Sequence, residues 1–216
     1  MIGVVVPVHD EEAHLDTCLS AIRVAARHPD LQGETVAIVA ALDACTDGSE
    51  GIAARHSVDI VRVAAQCVGL ARAAGAERAL HRGARWLAFT DADSVVADDW
   101  LAMQLAAGAD AVCGTVEVAD WSLHPLHVRE RYGRNYSDAE GHDHVHGANL
   151  GVSAEAYRRV GGFRALGLHE DVQLVSSLVA AGCRVARTAR ARVITSARLR
   201  NRIPAGGFAG HLAALA

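Results

Sequence analysis

The chain has 216 residues, enough for one compact domain with a real core, and its 51% hydrophobic and 21% charged residues exclude a disordered polypeptide. Its 21 basic residues are all arginine and stand against 25 acidic ones for a net charge of −4, which argues against wholesale nucleic-acid binding and excludes chemistry that needs a lysine nucleophile, base or phosphate-loop lysine. Five widely spaced cysteines without a C-x-x-C pair suggest neither a disulfide framework nor a thiolate zinc site, so a reducing cytoplasm is the expected compartment.

Ile2 to Val8 is a nearly continuous apolar run, the pattern of a strand buried on both faces of a parallel sheet. Asp10, Glu11 and Glu12 follow at once, with no basic leader and no cleavage site. His14 to Arg27 carries Leu15, Leu19, Ile22 and Ala26 at helical spacing. Thr35 to Leu42 predicts a second strand, Glu50 to His56 a short helix, Val58 to Val63 a third strand, Val68 to His81 an alanine-rich helix and Trp86 to Thr90 a fourth strand. This β-α-β-α-β-α-β order implies a parallel sheet with helices on both faces and ligands at the carboxyl ends of the strands. Beyond it, Asp98 to Leu105 predicts a helix and Ala111 to Val118 a strand, while Trp121 to His144 is polar and without period. Val145 to Val152 regains strand character, Glu155 to Val160 is a short helix, Asp171 to Ala181 a longer one closed by Gly182, and Arg184 to Thr195 a last strand before a short apolar helix near the end. No apolar run approaches the roughly 18 residues of a spanning helix, although peripheral association with a membrane surface stays compatible with the sequence.

Three segments place acidic side chains where strands end, and a fourth places them at the start of a helix. Phe89-Thr90-Asp91-Ala92-Asp93 sets two aspartates one residue apart. Magnesium and manganese take oxygen ligands and share their shell with phosphate, so the pair is a candidate metal-diphosphate seat; read alone, it is equally a turn in which Asp93 or Ser94 caps the next helix. Val6-Pro7-Val8-His9-Asp10-Glu11-Glu12 reads alone as an acidic helix start, and Leu42-Asp43-Ala44-Cys45-Thr46-Asp47-Gly48-Ser49 as an Asx or Ser/Thr turn whose aspartate can also accept from a nucleobase N–H. His169-Glu170-Asp171 opens a helix, and a carboxylate beside a metal site is what a general base requires. The imidazoles of His142-Asp143-His144-Val145-His146 would share one face of a strand, but exposed loop histidines are favoured over a dedicated zinc or nickel site. Arg198, Arg200 and Arg202 form a small basic tail, expected chiefly as solvated surface.

Taken together and in this order, the segments resemble the family 2 glycosyltransferases of the GT-A fold, from Ile2 to about Val185. The opening run is similar to that family's Val-Pro-x-x-Asn-Glu-Glu, with Asp10 in place of asparagine; Asp43 and Asp47-Gly48-Ser49 resemble its second-strand motif; Thr90-Asp91-Ala92-Asp93-Ser94 with Asp98-Asp99-Trp100-Leu101 resembles its metal motif and following helix. Gly147-Ala148-Asn149-Leu150-Gly151-Val152-Ser153 with Tyr157-Arg158-Arg159-Val160-Gly161-Gly162-Phe163 is similar to its acceptor-side signature, and Glu170-Asp171 to its catalytic segment.

The resemblance implies an α/β, Rossmann-like, mostly parallel twisted sheet with helices on both faces, in a single domain over 1–216. Residues 1–94 would be the nucleotide-binding half, and 95–216 the acceptor-side half with the irregular segment 121–144. It implies an inverting, hexosyltransferase-like enzyme that moves a sugar from a nucleotide-diphosphate sugar, UDP-sugar favoured, to an acceptor hydroxyl with Mn2+ or Mg2+. Asp171 would be the base, with Glu170 orienting it or the acceptor. Asp93 would ligate the metal, and Asp91 the metal or the ribose. Pro7, His9, Glu11 and Asp43 would frame base and ribose, and Arg72 would contact phosphate or base. On the acceptor side stand Trp121 as a platform, His146 and His169 as acceptor contacts or completing metal ligands, and Asn149. Two other readings stay open: a non-catalytic nucleotide- or sugar-binding module of the same fold, and a nucleotidyltransferase, which would open with a glycine-rich arginine-lysine loop where His9-Asp10-Glu11-Glu12 stands.

Overall fold

A computed structural model describes residues 1–199 and 207–215. The first half alternates strands and helices: β1 (Ile2–Val8), α1 (Leu15–Ala25), β2 (Val36–Asp43), α2 (Ser49–Arg55), β3 (Asp59–Val63), α3 (Val68–His81) and β4 (Trp86–Phe89). The second half adds β5 (Ser94–Val96), α4 (Trp100–Ala106), β6 (Ala111–Val118), α5 (Leu126–Asn135), β7 (Leu150–Ser153), α6 (Ala154–Arg159), α7 (Glu170–Ala180), β8 (Val185–Thr195) and α8 (Gly207–Ala213). Among the described residues the strands form one sheet in the order β3-β2-β1-β4-β7-β6-β8-β5. The β1–β2, β2–β3, β1–β4 and β6–β8 pairs are parallel; β4–β7, β6–β7 and β5–β8 are antiparallel.

The valine run of β1 is continuous because both its faces are covered. Val4, Val6 and Val8 pack with Leu15, Leu19 and Ile22 of α1 and with Trp100 of α4, whereas Val5 joins Ala76 and Ala79 of α3 and Leu174 of α7 on the other side. Helix α3 is rich in alanine and glycine because it lies almost on the strand: a Cβ on Gly75 would sit 2.4 Å from a Val5 methyl carbon. No described helix is long and apolar enough to cross a membrane.

Three expectations are corrected here. Ser94 does not cap a helix: Ser94–Val96 is a short strand paired with β8, and α4 starts only at Trp100, after Asp99, whose side chain makes no cap bond. The segment 121–144 is not wholly irregular, since α5 lies within it. Its polar exterior hides the period, and only Val128 and Tyr132, four residues apart, face inward. Residues 145–149 are not strand, and β7 begins at Leu150.

Asn149, expected on the acceptor side, is buried and does not line the large cavity of the molecule. Its fully buried amide donates to the carbonyls of Thr115 and Ala191, both at 2.7 Å, and accepts from Trp100 Nε1 at 2.9 Å. It plugs the place where β6 and β8 slip register after Gly114, whose Cβ would collide with it. Asn149→Ala is therefore expected to destabilise the fold by about 2–4 kcal/mol, since three buried groups lose a partner. Urea denaturation measures this, and a loss below about 0.5 kcal/mol would contradict the plug.

Candidate active site

The carboxyl ends of β1, β2 and β4, the first turns of α3 and α7, residues 144–148 and residues 195–198 enclose a cavity of about 760 Å³. Pro7, His9, Glu11, Asp43, Arg72, Asp91, Asp93, His146, His169, Glu170 and Asp171 all line it. Trp121 and Asn149 do not. The backbone is strained around the rim: Asp10 (φ 52°), Ala44 (φ 51°), Gln66 (φ 47°) and His169 (φ 60°) are left-handed where β1, β2, β3 and α7 meet their loops.

Those conformations are held by side chains that bond neighbouring loops. The carboxylate of Asp10 accepts from the N–H groups of Thr46 (2.7 Å) and Asp47 (3.2 Å), and the first of these holds its pKa below the usual aspartate range. Glu12 accepts from Gly48 N–H while Asp47 accepts from Glu12 N–H, so the first two loops are laced together. Asp43 is buried and accepts from three backbone N–H groups, Ala65 (2.8 Å), Gln66 (2.9 Å) and Cys67 (2.7 Å). Its first role is thus to fold the loop between β3 and α3 over the cavity. His9 Nδ1 donates to the Asp43 carbonyl at 2.6 Å, which fixes the ring at the mouth of the β2 loop.

Arg72, expected as a phosphate or base contact, lines the cavity and acts within the protein as a buried tie. Its guanidinium donates to Glu170 and, at 2.5 Å, to Asp91 Oδ1, joining the end of β4 to the start of α7. Residue 147 is glycine because a Cβ there would lie 2.3 Å from Arg72 Nη2. Glu170, 4% exposed, faces this arginine, and Asp171 is oriented by other groups. Asp171 Oδ2 accepts from Gly147 N–H at 2.7 Å and Oδ1 from Val172 N–H at 2.7 Å, at the acid-favouring start of a helix.

Arg198 is not solvated surface. It donates to Glu11 Oε1 at 2.5 Å and pairs with Asp93 Oδ2 at 2.9 Å. Arg200 and Arg202 lie outside the described residues. Burial pushes the Asp93 carboxyl up to about 6, opposed by Arg198 and reinforced by Asp91 and Glu11. Glu11, Asp91, Asp93 and Glu170 set four carboxylates against the two guanidiniums of Arg72 and Arg198. These hard oxygen donors, with a surplus of two negative charges, suit a divalent cation such as Mg2+ or Mn2+. Asp10, Cys45 and Asp47 also bring ligand atoms within 4.8 Å of one another at the rim, but burial raises the Cys45 pKa and keeps it a neutral thiol.

Another part of the wall is a stack of rings. Tyr136 lies on His144 (centroids 4.1 Å, 4° apart) and on Tyr132 (4.9 Å, 14°); its hydroxyl accepts from Val116 N–H at 2.7 Å and is hydrogen-bonded to His146 Nε2 at 3.1 Å. The three imidazoles are thus neither on a strand face nor simply exposed. His142 is buried, and His142, His144 and His146 stack with centroids 5.4 and 5.7 Å apart instead of converging on a metal. Burial holds the His144 pKa below the usual imidazole value. Trp121 packs its ring on Tyr132 at 5.2 Å, behind the cavity wall, so it is a support and not a platform. Tyr132, Tyr136 and Phe208 also line the cavity; the spacing of Val128, Tyr132 and Tyr136 is the signal that finds the two tyrosines, and no local pattern marks Phe208.

The profile of "Glycosyl transferase family 2" matches residues 3–161. No curated protein matches the sequence. Among solved structures, TarS 1-349 of S. aureus in complex with UDP superposes with a TM-score of 0.68 at 12% identity, over 92% of this chain and 61% of that one. The mannosyltransferase PcManGT from Pyrobaculum calidifontis, in complex with GDP-Man and Mn2+, gives 0.67 at 18% identity, over 93% and 58%. GalNAc-T7 with UDP, GalNAc and Mn2+ gives 0.67 at 17% identity, over 92% and 44%. The chain thus spans about three-fifths of the length of the first of these proteins and less of the others, and at these identities the likeness is one of fold.

Proposed function

The chain belongs to glycosyl transferase family 2, and on that footing we propose that it transfers a sugar from a nucleotide-diphosphate sugar, UDP-sugar favoured, to an acceptor hydroxyl with inversion at the anomeric carbon. The observation that carries the reading is a single cavity in which Asp171, fixed by Gly147 N–H, shares the space with the carboxylates of Glu11, Asp91 and Asp93, of which Asp91 is the most exposed.

In this reading the nucleoside lies against Pro7, His9 and the loop that Asp43 folds over the cavity. Asp171 takes the proton of the acceptor hydroxyl as its oxygen bonds the anomeric carbon; the bond from that carbon to the phosphate oxygen breaks, and its electron pair leaves with the diphosphate. Gly147 N–H keeps Asp171 aimed through the step, and Arg72 keeps Glu170 and Asp91 from repelling one another. Asp93 and Asp91 are the residues that would hold Mn2+ or Mg2+, which when bound supplies charge for the leaving diphosphate. The ring wall of Tyr132, Tyr136 and Phe208 offers apolar edges to an acceptor sugar, and His146 and His169 offer polar contacts.

The test is a panel of UDP- and GDP-sugars with Mn2+, read as release of nucleoside diphosphate and as the anomeric configuration of the product by NMR. One nucleotide class should support release and give the inverted anomer; a retained anomer would contradict the role given to Asp171. Since a proton and a cation compete for Asp93, whose carboxyl sits at about 6, affinity for Mn2+ is expected to fall as pH drops below that value. The limit is about tenfold per pH unit for one displaced proton. Titration of Mn2+ between about pH 5 and 7.5 checks this, and a flat profile would remove Asp93 from the ligand set.

A further inference from the structure

We infer that Arg198, which bridges Glu11 and Asp93, and a divalent cation compete for the Asp93 carboxylate, so that the guanidinium is a built-in counter-cation that a metal ion must displace. The inference rests on the reading of Asp93 as a metal ligand. Arg198 lies three residues past the end of β8 and reaches back into the cavity, with Nη1 donating to Glu11 Oε1 at 2.5 Å and Nη2 at 2.9 Å from Asp93 Oδ2. The two acceptors come from the ends of different strands, β1 and β4, and their side chains are 5% and 9% exposed, so each needs a cation beside it.

Arg72 meets that need for Asp91 and Glu170, but the two arginines are not equivalent. Arg72 is 4% exposed and clamped between carboxylates on opposite sides, under Gly147. Arg198 is 28% exposed and sits at the end of a strand, where the side chain can leave by rotation without opening the core. A divalent ion at Asp93 would share its oxygens with the guanidinium and would stand within a few ångströms of a like charge in a site partly shielded from water, so the two occupancies oppose each other. The identity of residue 198 then sets how much free metal the protein needs before its site fills.

The opposite expectation, that Arg198 preassembles the carboxylates for the metal, gives the opposite sign, so one measurement decides. Mn2+ is titrated into the full chain without nucleotide and free ion is counted by electron paramagnetic resonance, for the parent protein, Arg198→Gln, Arg198→Ala and Asp93→Asn. Both Arg198 variants should bind Mn2+ about tenfold or more tightly, and Asp93→Asn should lose binding. Tightening shared by both variants reports the missing charge, since they leave different packing behind, and thermal unfolding confirms that each is folded. If Asp93→Asn loses binding while the Arg198 variants bind equally or more weakly, the competition is overturned and the metal reading stands. If Asp93→Asn leaves binding unchanged, or no variant binds, the metal reading falls and the inference with it.

Discussion

Replacing Asp171 with asparagine is expected to lower sugar transfer by about 10²–10⁴-fold while leaving nucleotide affinity within about twofold of the parent, because the base is lost and the geometry is kept. The asparagine carbonyl can still accept from Gly147 N–H, the bond that fixes Asp171 at 2.7 Å, but it cannot take a proton at neutral pH. Initial rates of nucleoside diphosphate release, alongside a binding titration of the same preparation, separate the two effects. A variant that transfers at more than about a tenth of the parent rate would take the base role away from Asp171. Glu170→Gln should act differently, through stability as well as rate, because Glu170 is buried against Arg72.

Arg72→Leu is expected to destabilise the protein by about 3–5 kcal/mol, the range for removing one partner of a buried ion pair. Two carboxylates, Glu170 and Asp91, lose their counter-charge together, and the cation over the Phe163 ring, 5.8 Å from its centroid, goes as well. Arg72→Lys should rescue little, since one ammonium does not offer the planar fork that bonds two carboxylates on different sides. Gly147→Ala should cost stability by the same route, by pressing its methyl group into the guanidinium. Urea denaturation of the three variants measures the effect; a loss under about 1 kcal/mol in Arg72→Leu would show that the two carboxylates are solvated or protonated without it.

The first half of the molecule was legible because each element repeats one pattern cleanly. The buried run of β1 and the stripe of α1 fall where spacing puts them, and α3 matches its expected bounds, Val68–His81, as does β6 of the second half, Ala111–Val118. The acidic strand ends were legible as a site for the same reason, since the topology brings the ends of β1, β2 and β4 to one cavity. What the acidic residues do there was harder to read, because partners distant in sequence decide it. Asp43 meets three amides of the 65–67 loop, and Arg72 meets Glu170 nearly a hundred residues away.

The misses share a physical cause. Asn149 looks like an acceptor contact in a polar-glycine run, yet its amide fills a register slip between β6 and β8 that no local pattern announces. Arg198 looks like surface because nothing within ten residues of it is acidic, whereas its partners Glu11 and Asp93 lie at the far end of the chain and at its middle. The ring stack of Tyr132, Tyr136 and His144 went unseen because α5 is polar over most of its circumference and the histidines read as exposed loop residues.

The account stands on a donor site for a nucleoside diphosphate built around Asp93, and the most direct test is isothermal titration of UDP, then GDP, into the full chain with and without Mn2+, repeated on Asp93→Ala. The account predicts that one of the two nucleotides binds with Mn2+ and only weakly without it, and that Asp93→Ala abolishes the difference. Failure of both nucleotides to bind under every condition would contradict it and would leave the fold without the donor site.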